Sequence, residues 1–262
     1  MGMSGFKNDK ARARFYAVYE RALEELLPEP RTVLDIPTAF GTTRAYRVGP
    51  PSGEPIVLLS GASGNALMWH RYIPVLARHR TVIAVDTVGE PGLSVQSAPI
   101  DDGRDGAAWL AADRSAGLTL VDPAGFAVPG RRFYTWVIAG ALAGMAPCGL
   151  RPRLARMVGN SAILESELMR LGRASVGFRR VLPPAEVFSD EELGRLCAVP
   201  SQFLLGARST LHDAPQVAAR IGALVPSARV EVVADAGHAL PTDQPDLVAE
   251  RILEAAGAAK PL

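Results

Sequence analysis

The chain is poor in three things, and each scarcity narrows what it can be. Cysteine occurs only twice in 262 residues, at Cys148 and Cys197. Two cysteines make no disulfide scaffold, and they agree with a reducing compartment. Neither they nor the four histidines fall into a metal-binding spacing. Charge of one sign is also scarce: 28 Lys and Arg face 27 Asp and Glu, a formal net charge of +1. That balance gives no reason to expect nucleic acid as a partner. Small basic groups at Arg151, Arg153 and Arg156 and at Arg179 and Arg180 read as solvated faces. Long apolar runs are missing too. The most apolar stretch, FYTWVIAGALAGMA from Phe133 to Ala146, is too short to span a bilayer and reads as a buried helix or a cap helix. The start, MGMSGFKNDKARARF, has no apolar signal core, so the expected location is the cytoplasm.

What is present is an alternation of strand and helix. Residues 10–27 carry helical spacing and stop at Pro28 and Pro30. RTVLDIPT and TTRAYRVG, joined through Phe40 and Gly41, read as a hairpin. IVLLS (56–60) is a short continuous apolar run, as expected of a strand buried on both faces. A helix is expected at 67–79, and further strands at TVIAVD (81–86), GLTLVD (117–122), FLLG (203–206) and VEVVAD (230–235). Helices are expected at 213–224 and 244–256. The pattern predicts an α/β fold with a doubly wound, mostly parallel sheet. Residues 126–199 break the rhythm with helices and prolines and read as an inserted helical cap over the carboxyl edge of the sheet, where ligands bind. The expected organisation is an N-terminal helix (1–30), a core (31–125 and 200–262) and the cap (126–199).

Four loops at strand ends carry the candidate chemistry. SGASGN, from Ser60 to Asn65, holds glycines that let backbone N–H groups face a site, the requirement for stabilising an oxyanion. DTVGEPGLS (86–94) ends a strand in an aspartate and a glycine-rich turn. ADAGHALPTDQP places His238 on a loop after a strand, where it can act as a general base, with a helix cap expected near Thr242 or Asp243. Asp213, in LLGARSTLHDAP, either orients His238 or caps the helix that follows.

Together these stretches, and GHALPTDQP above all, resemble the α/β-hydrolase family of serine esterases and related hydrolases, over most of the chain from Arg31 onward. The resemblance implies hydrolysis of a carboxylic ester or similar acyl bond, with His238 as the base. It assigns the oxyanion and binding loop to Gly61, Ala62 and Ser63, with the donor best matched by the Ala62 N–H. It implies a small apolar acyl or ester-like partner, and neither a metal nor an organic cofactor. The family's G-x-S-x-G nucleophile elbow is absent. Ser63 lies in GASGN, Ser115 in DRSAG and Ser161 in GNSAI, and no Cys or Asp completes an equivalent. WLAA is joined directly to DRSAGLTLVDPAGF, so the nucleophile has gone with its supporting unit, roughly thirty residues of strand and crossover helix between Ala112 and Asp113. The acid is Asp122 or Asp213, because Ser209 stands where the family often has aspartate. A sheet one central strand short is expected to close up by pairing 118–121 with 56–59, since unpaired buried backbone is costly. Three readings stay open: a hydrolase by descent, a non-catalytic small-molecule-binding module, and a non-functional internal-deletion product. Oligomeric state is not legible.

Overall fold

The computed structural model describes residues 2–51, 53–103, 117–183 and 186–257. The junction between Ala112 and Asp113 and the Ser115 hydroxyl therefore lie outside the described residues. The chain forms two compact units, Met1–Arg114 with Arg170–Pro184, and Ser115–Met169 with Ala185–Leu262.

The first unit begins with β1 (Gly5–Phe6) and a helix, Asp9–Leu26. Asn8 caps that helix through the Ala11 N–H, and Phe15, Tyr19, Ala22 and Leu23 form its buried stripe. The expected hairpin is present as β2 (Arg31–Thr38) and β3 (Gly41–Val48), paired antiparallel along their whole length. β4 (Ile56–Leu59) lies parallel to β5 (Val82–Val85), and β5 lies antiparallel to β3, giving the order β2-β3-β5-β4. β6 (Val95–Gln96) adds to β3. The helix expected at 67–79 is two short pieces, a 3₁₀ turn at Ala66–Trp69 and a helix at Ile73–Leu76, with Pro74 in the first turn of the second.

Asp86, at the end of β5, organises this unit. It is fully buried, and its carboxylate accepts from the Tyr19 hydroxyl at 2.9 Å, the Ala66 N–H at 2.9 Å and the Leu93 N–H at 2.6 Å. Burial pushes its proton affinity up, and these donors oppose the rise. Gly92 is required here because a Cβ would stand 2.6 Å from Asp86 Cγ. The DTVGEPGLS stretch therefore ties the N-terminal helix, the 3₁₀ turn and its own loop to one carboxylate.

In the second unit β7 (Leu118–Val121), β9 (Ser201–Gly206) and β10 (Arg229–Val233) form a parallel sheet in the order β10-β9-β7; β8 is the two-residue partner of β1, Phe178–Arg179, in the first unit. The helix Ala214–Leu224 packs Val217 and Ile221 with Phe203 and Leu205 of β9. All of β9 is buried, as befits a central strand.

Two expectations fail for one reason. Residues 118–121 do not pair with 56–59: among the described residues β7 pairs only with β9, and β4 only with β5. β4 is also not buried on both faces, for Val57 is 52% exposed and Leu59 37%. Strand direction and register are fixed by the partner each strand already has, so among the described residues each of these strands stays in its own sheet. The helix Arg131–Met145 is likewise not a buried helix, since Tyr134, Ile138, Leu142 and Met145 are exposed and only Gly140, Ala143 and Gly144 are buried.

The Asp86 cluster yields a direct expectation. In Asp86→Asn whichever carboxylate oxygen becomes an NH₂ faces a donor and can no longer accept from it, so the variant should lose about 1–3 kcal/mol of unfolding free energy in urea. An unchanged urea midpoint would contradict the role given to this carboxylate.

Candidate active site

The site of the second unit is assembled where its three parallel strands end. Asp122 follows β7, and its backbone N–H extends the ladder to Leu204 O at 2.7 Å. Its φ of 43° puts a non-glycine residue in the left-handed region, directly before Pro123. Such conformations are sparsely populated, are commonest for Asp and Asn, and persist where the surroundings hold them. Here the carboxylate is the holder. It is 2% exposed, and Oδ1 accepts from the Gly206 N–H at 2.9 Å. Oδ2 accepts from the Ser209 hydroxyl at 2.8 Å and lies 2.7 Å from His238 Nδ1.

His238 follows β10 on the loop Ala234–Ala239. Gly206 lets that loop approach β9: a Cβ on Gly206 would fall 2.4 Å from Gly237 O. An ionised carboxylate only accepts, so the contact fixes His238 with its proton on Nδ1 and a lone pair on Nε2, the form a general base needs. Phe133 and Trp136, one helical turn apart on Arg131–Met145, each meet the imidazole edge-on with centroids 5.5 Å away. The ring is thus braced by a carboxylate and two aromatics while its side chain stays 27% exposed. It opens on a cavity of about 250 Å³ lined also by Trp136, Met157, Gly159, Arg208 and Thr210.

Asp213 is placed elsewhere. It caps the helix Ala214–Leu224 through the Gln216 N–H at 3.0 Å. The cap expected at Thr242 or Asp243 is not made. The longer helix, Pro245–Ala255, starts at its own proline, and Asp243 accepts instead from the Ser161 hydroxyl at 2.6 Å and N–H at 3.1 Å. Ser161, one of the serines searched as a nucleophile, is occupied in this way.

The glycine-rich loop of the first unit has its own geometry. Gly64 N–H closes a turn on Gly61 O at 3.0 Å, with Ser63 at the left-handed φ of 63°. The Ser63 N–H is committed to Glu90 Oε2 at 2.9 Å, and Glu90 is in turn paired with Arg180 at 2.7 Å. That leaves Gly61 and Ala62 as the exposed N–H groups of the trio free of such a commitment. Among the described residues no cluster of His, Cys, Asp and Glu has the form of a metal site, and no helix is long and apolar enough to cross a membrane.

Sequence reasoning missed Phe133, Trp136 and His212. The two aromatics had a signal, their spacing of three in the most apolar stretch of the sequence. His212 had none, because LHDAP reads as the approach to a helix cap.

Comparison with known proteins completes the description. No family model matches the chain. It is 26% identical to the carboxylesterase YbfK of Bacillus subtilis, with 92% of each chain covered. It is 28% identical to the uncharacterized carboxylesterase nap of the same organism, covering 92% of this chain and 91% of that one. The crystal structure of the carboxylesterase CesB (YbfK) superposes with a TM-score of 0.78 at 24% identity, over 94% of this chain and 98% of that one. The chain has the α/β-hydrolase fold. The alignment with YbfK contains positions without a counterpart in this chain. It runs over 277 positions but takes in 92% of 262 residues, about 241, so about 36 positions of the relative have no counterpart here.

The electrostatics predict a pH response. Burial pushes the proton affinity of His212 down, and Asp122 opposes this. As pH falls below the ordinary 6.5, the unfolded chain takes up this proton before the folded one. The contribution is intact above about pH 6.5 and lost below it. Unfolding free energy in urea should therefore fall between about pH 7.5 and 5.5, and fall less in His212→Phe. An equal fall in both proteins would contradict this origin.

Proposed function

We propose that this α/β hydrolase is of the carboxylesterase kind and that Asp122 and His238 are the acid and base of its ester chemistry. The contact that carries the reading is the 2.7 Å approach of Asp122 Oδ2 to His238 Nδ1. Asp122 is favoured over Asp213 because it is buried against the imidazole, whereas Asp213 is spent on a helix cap. Two curated relatives are named carboxylesterases over nine-tenths of the chain, which supports the same substrate class. In this reading Nε2 of His238 takes the proton of the attacking group and later passes it to the leaving alcohol. Asp122 holds the ring in the productive tautomer and steadies the imidazolium. The oxyanion donor of the scheme is the one the sequence resemblance assigns, the Ala62 N–H of the Gly61–Ser63 loop.

The missing member is the attacking oxygen. No serine of the sequence stands in a G-x-S-x-G elbow. Without it the acyl-enzyme path is closed, and what persists is the effect of binding and oxyanion stabilisation, roughly 10³–10⁴ over the uncatalysed rate in enzymes stripped of triad members. The chain therefore retains the proton-transfer half of an esterase and lacks its covalent half.

The test combines two assays on protein that melts cooperatively. A fluorophosphonate should leave the intact mass unchanged, and p-nitrophenyl acetate should be hydrolysed slowly, without a burst, at a rate that drops to the buffer rate in His238→Ala. A stoichiometric adduct would place the attacking role on another serine, Ser63 being first to examine. Slow hydrolysis indifferent to His238→Ala would remove the base from the scheme.

A further inference from the structure

Asp122 has a second histidine on its other oxygen. His212 precedes the cap residue Asp213, and its side chain is completely buried, with Nε2 3.4 Å from Asp122 Oδ1. Its ring meets Phe126 edge-on at 6.4 Å. Neither ring nitrogen has a hydrogen-bond partner. A contact of 3.4 Å is longer than a formed N–H···O bond, yet close enough for the N–H dipole to act strongly on a buried charge.

The donors around Asp122 show what this ring is for. Oδ2 takes the Ser209 hydroxyl and His238 Nδ1, and Oδ1 takes only the Gly206 N–H. A carboxylate offers about four acceptor positions. His212 Nε2 is the polar atom beside Oδ1, at 3.4 Å. A neutral imidazole carries one proton, and a lone pair turned on the carboxylate would be repelled, so the proton belongs on Nε2. The charged and titratable groups acting on the ring are Asp122, His238 and Asp213; burial, with His238 acting alongside it, outweighs the two aspartates and keeps the ring neutral.

We propose that His212 is a positioning residue of the pair: its neutral Nε2–H closes the remaining face of Asp122 Oδ1 and limits how strongly the carboxylate holds a protonated His238. This rests on Asp122 and His238 being an acid–base pair. It goes beyond that reading in making the base strength of His238 depend on a residue that never touches substrate. The donor's positive end lies on the far side of the same carboxylate and draws on its charge, so removing it should make His238 more basic.

The experiment uses the full chain with ¹⁵N-labelled histidine and long-range ¹H–¹⁵N correlation spectra between about pH 5.5 and 8. In the wild-type protein His212 should be neutral and protonated on Nε2 at pH 7. In His212→Phe, which keeps a ring against Phe126 and removes the donor, the His238 titration should move up by about half a pH unit. A His212 protonated on Nδ1, or doubly protonated at pH 7, overturns the proposal without any variant, so it stays testable if His212→Phe fails to fold. A His238 titration unmoved or lowered in a folded His212→Phe overturns it as well, since a purely structural histidine would change the melting temperature alone. None of these readouts needs turnover, so a failure here is distinct from a failure of the esterase reading in the adduct and hydrolysis assays.

Discussion

A carboxylate taken out of water must find donors for its lone pairs or give up its charge. Asp122 meets that demand with donors from three places in the chain: the Gly206 N–H ending β9, the Ser209 hydroxyl in the next loop and the ring of His238 beyond β10. The ends of three parallel strands are thereby tied to one group. The left-handed backbone at Asp122, the bare Cα at Gly206 and the burial of Ser209 are all conditions for that convergence. The imidazole inherits its orientation from it. The rings of Phe133 and Trp136 also pack against the imidazole, and Nε2 is the nitrogen that Asp122 does not engage.

Asp86 solves the same problem in the first unit with a different result. Its donors are a tyrosine and two backbone N–H groups, and no titratable base joins them. Two strand-end aspartates, each fully buried, thus serve different ends, one holding a fold together and the other holding a histidine. Ser209 sharpens the contrast. It occupies the place where the family often carries its acid, and its hydroxyl now donates to the aspartate that faces the base. In the proposed scheme the acid stands after β7, and Ser209 supports it with a hydrogen bond.

The legible part of this architecture was local. Strand-ending loops, the Gly-His turn and the hairpin around Gly41 all follow from periodicity and turn chemistry, which act over a few residues. The choice between Asp122 and Asp213 was not legible, because it depends on a contact between residues 116 apart in sequence. The same limit hid His212, whose partners lie at Phe126, Asp122 and His238. The strand pairing around the missing segment was misjudged for a related reason. Counting unpaired backbone groups says that an edge wants a partner, but it does not say that β7 is free to leave β9, and it is not: the β7–β9 register is continuous from Leu118 to Val121.

The central claim is that Asp122, and no other carboxylate, holds the proton of His238 Nδ1. The most direct measurement is the downfield imidazole N–H resonance of a histidine bonded to a buried carboxylate, recorded for the wild-type protein and for Asp122→Ala and Asp213→Ala. The resonance should be present in the wild type, absent in Asp122→Ala and retained in Asp213→Ala. Its survival in Asp122→Ala, or its loss in a folded Asp213→Ala, would contradict the account.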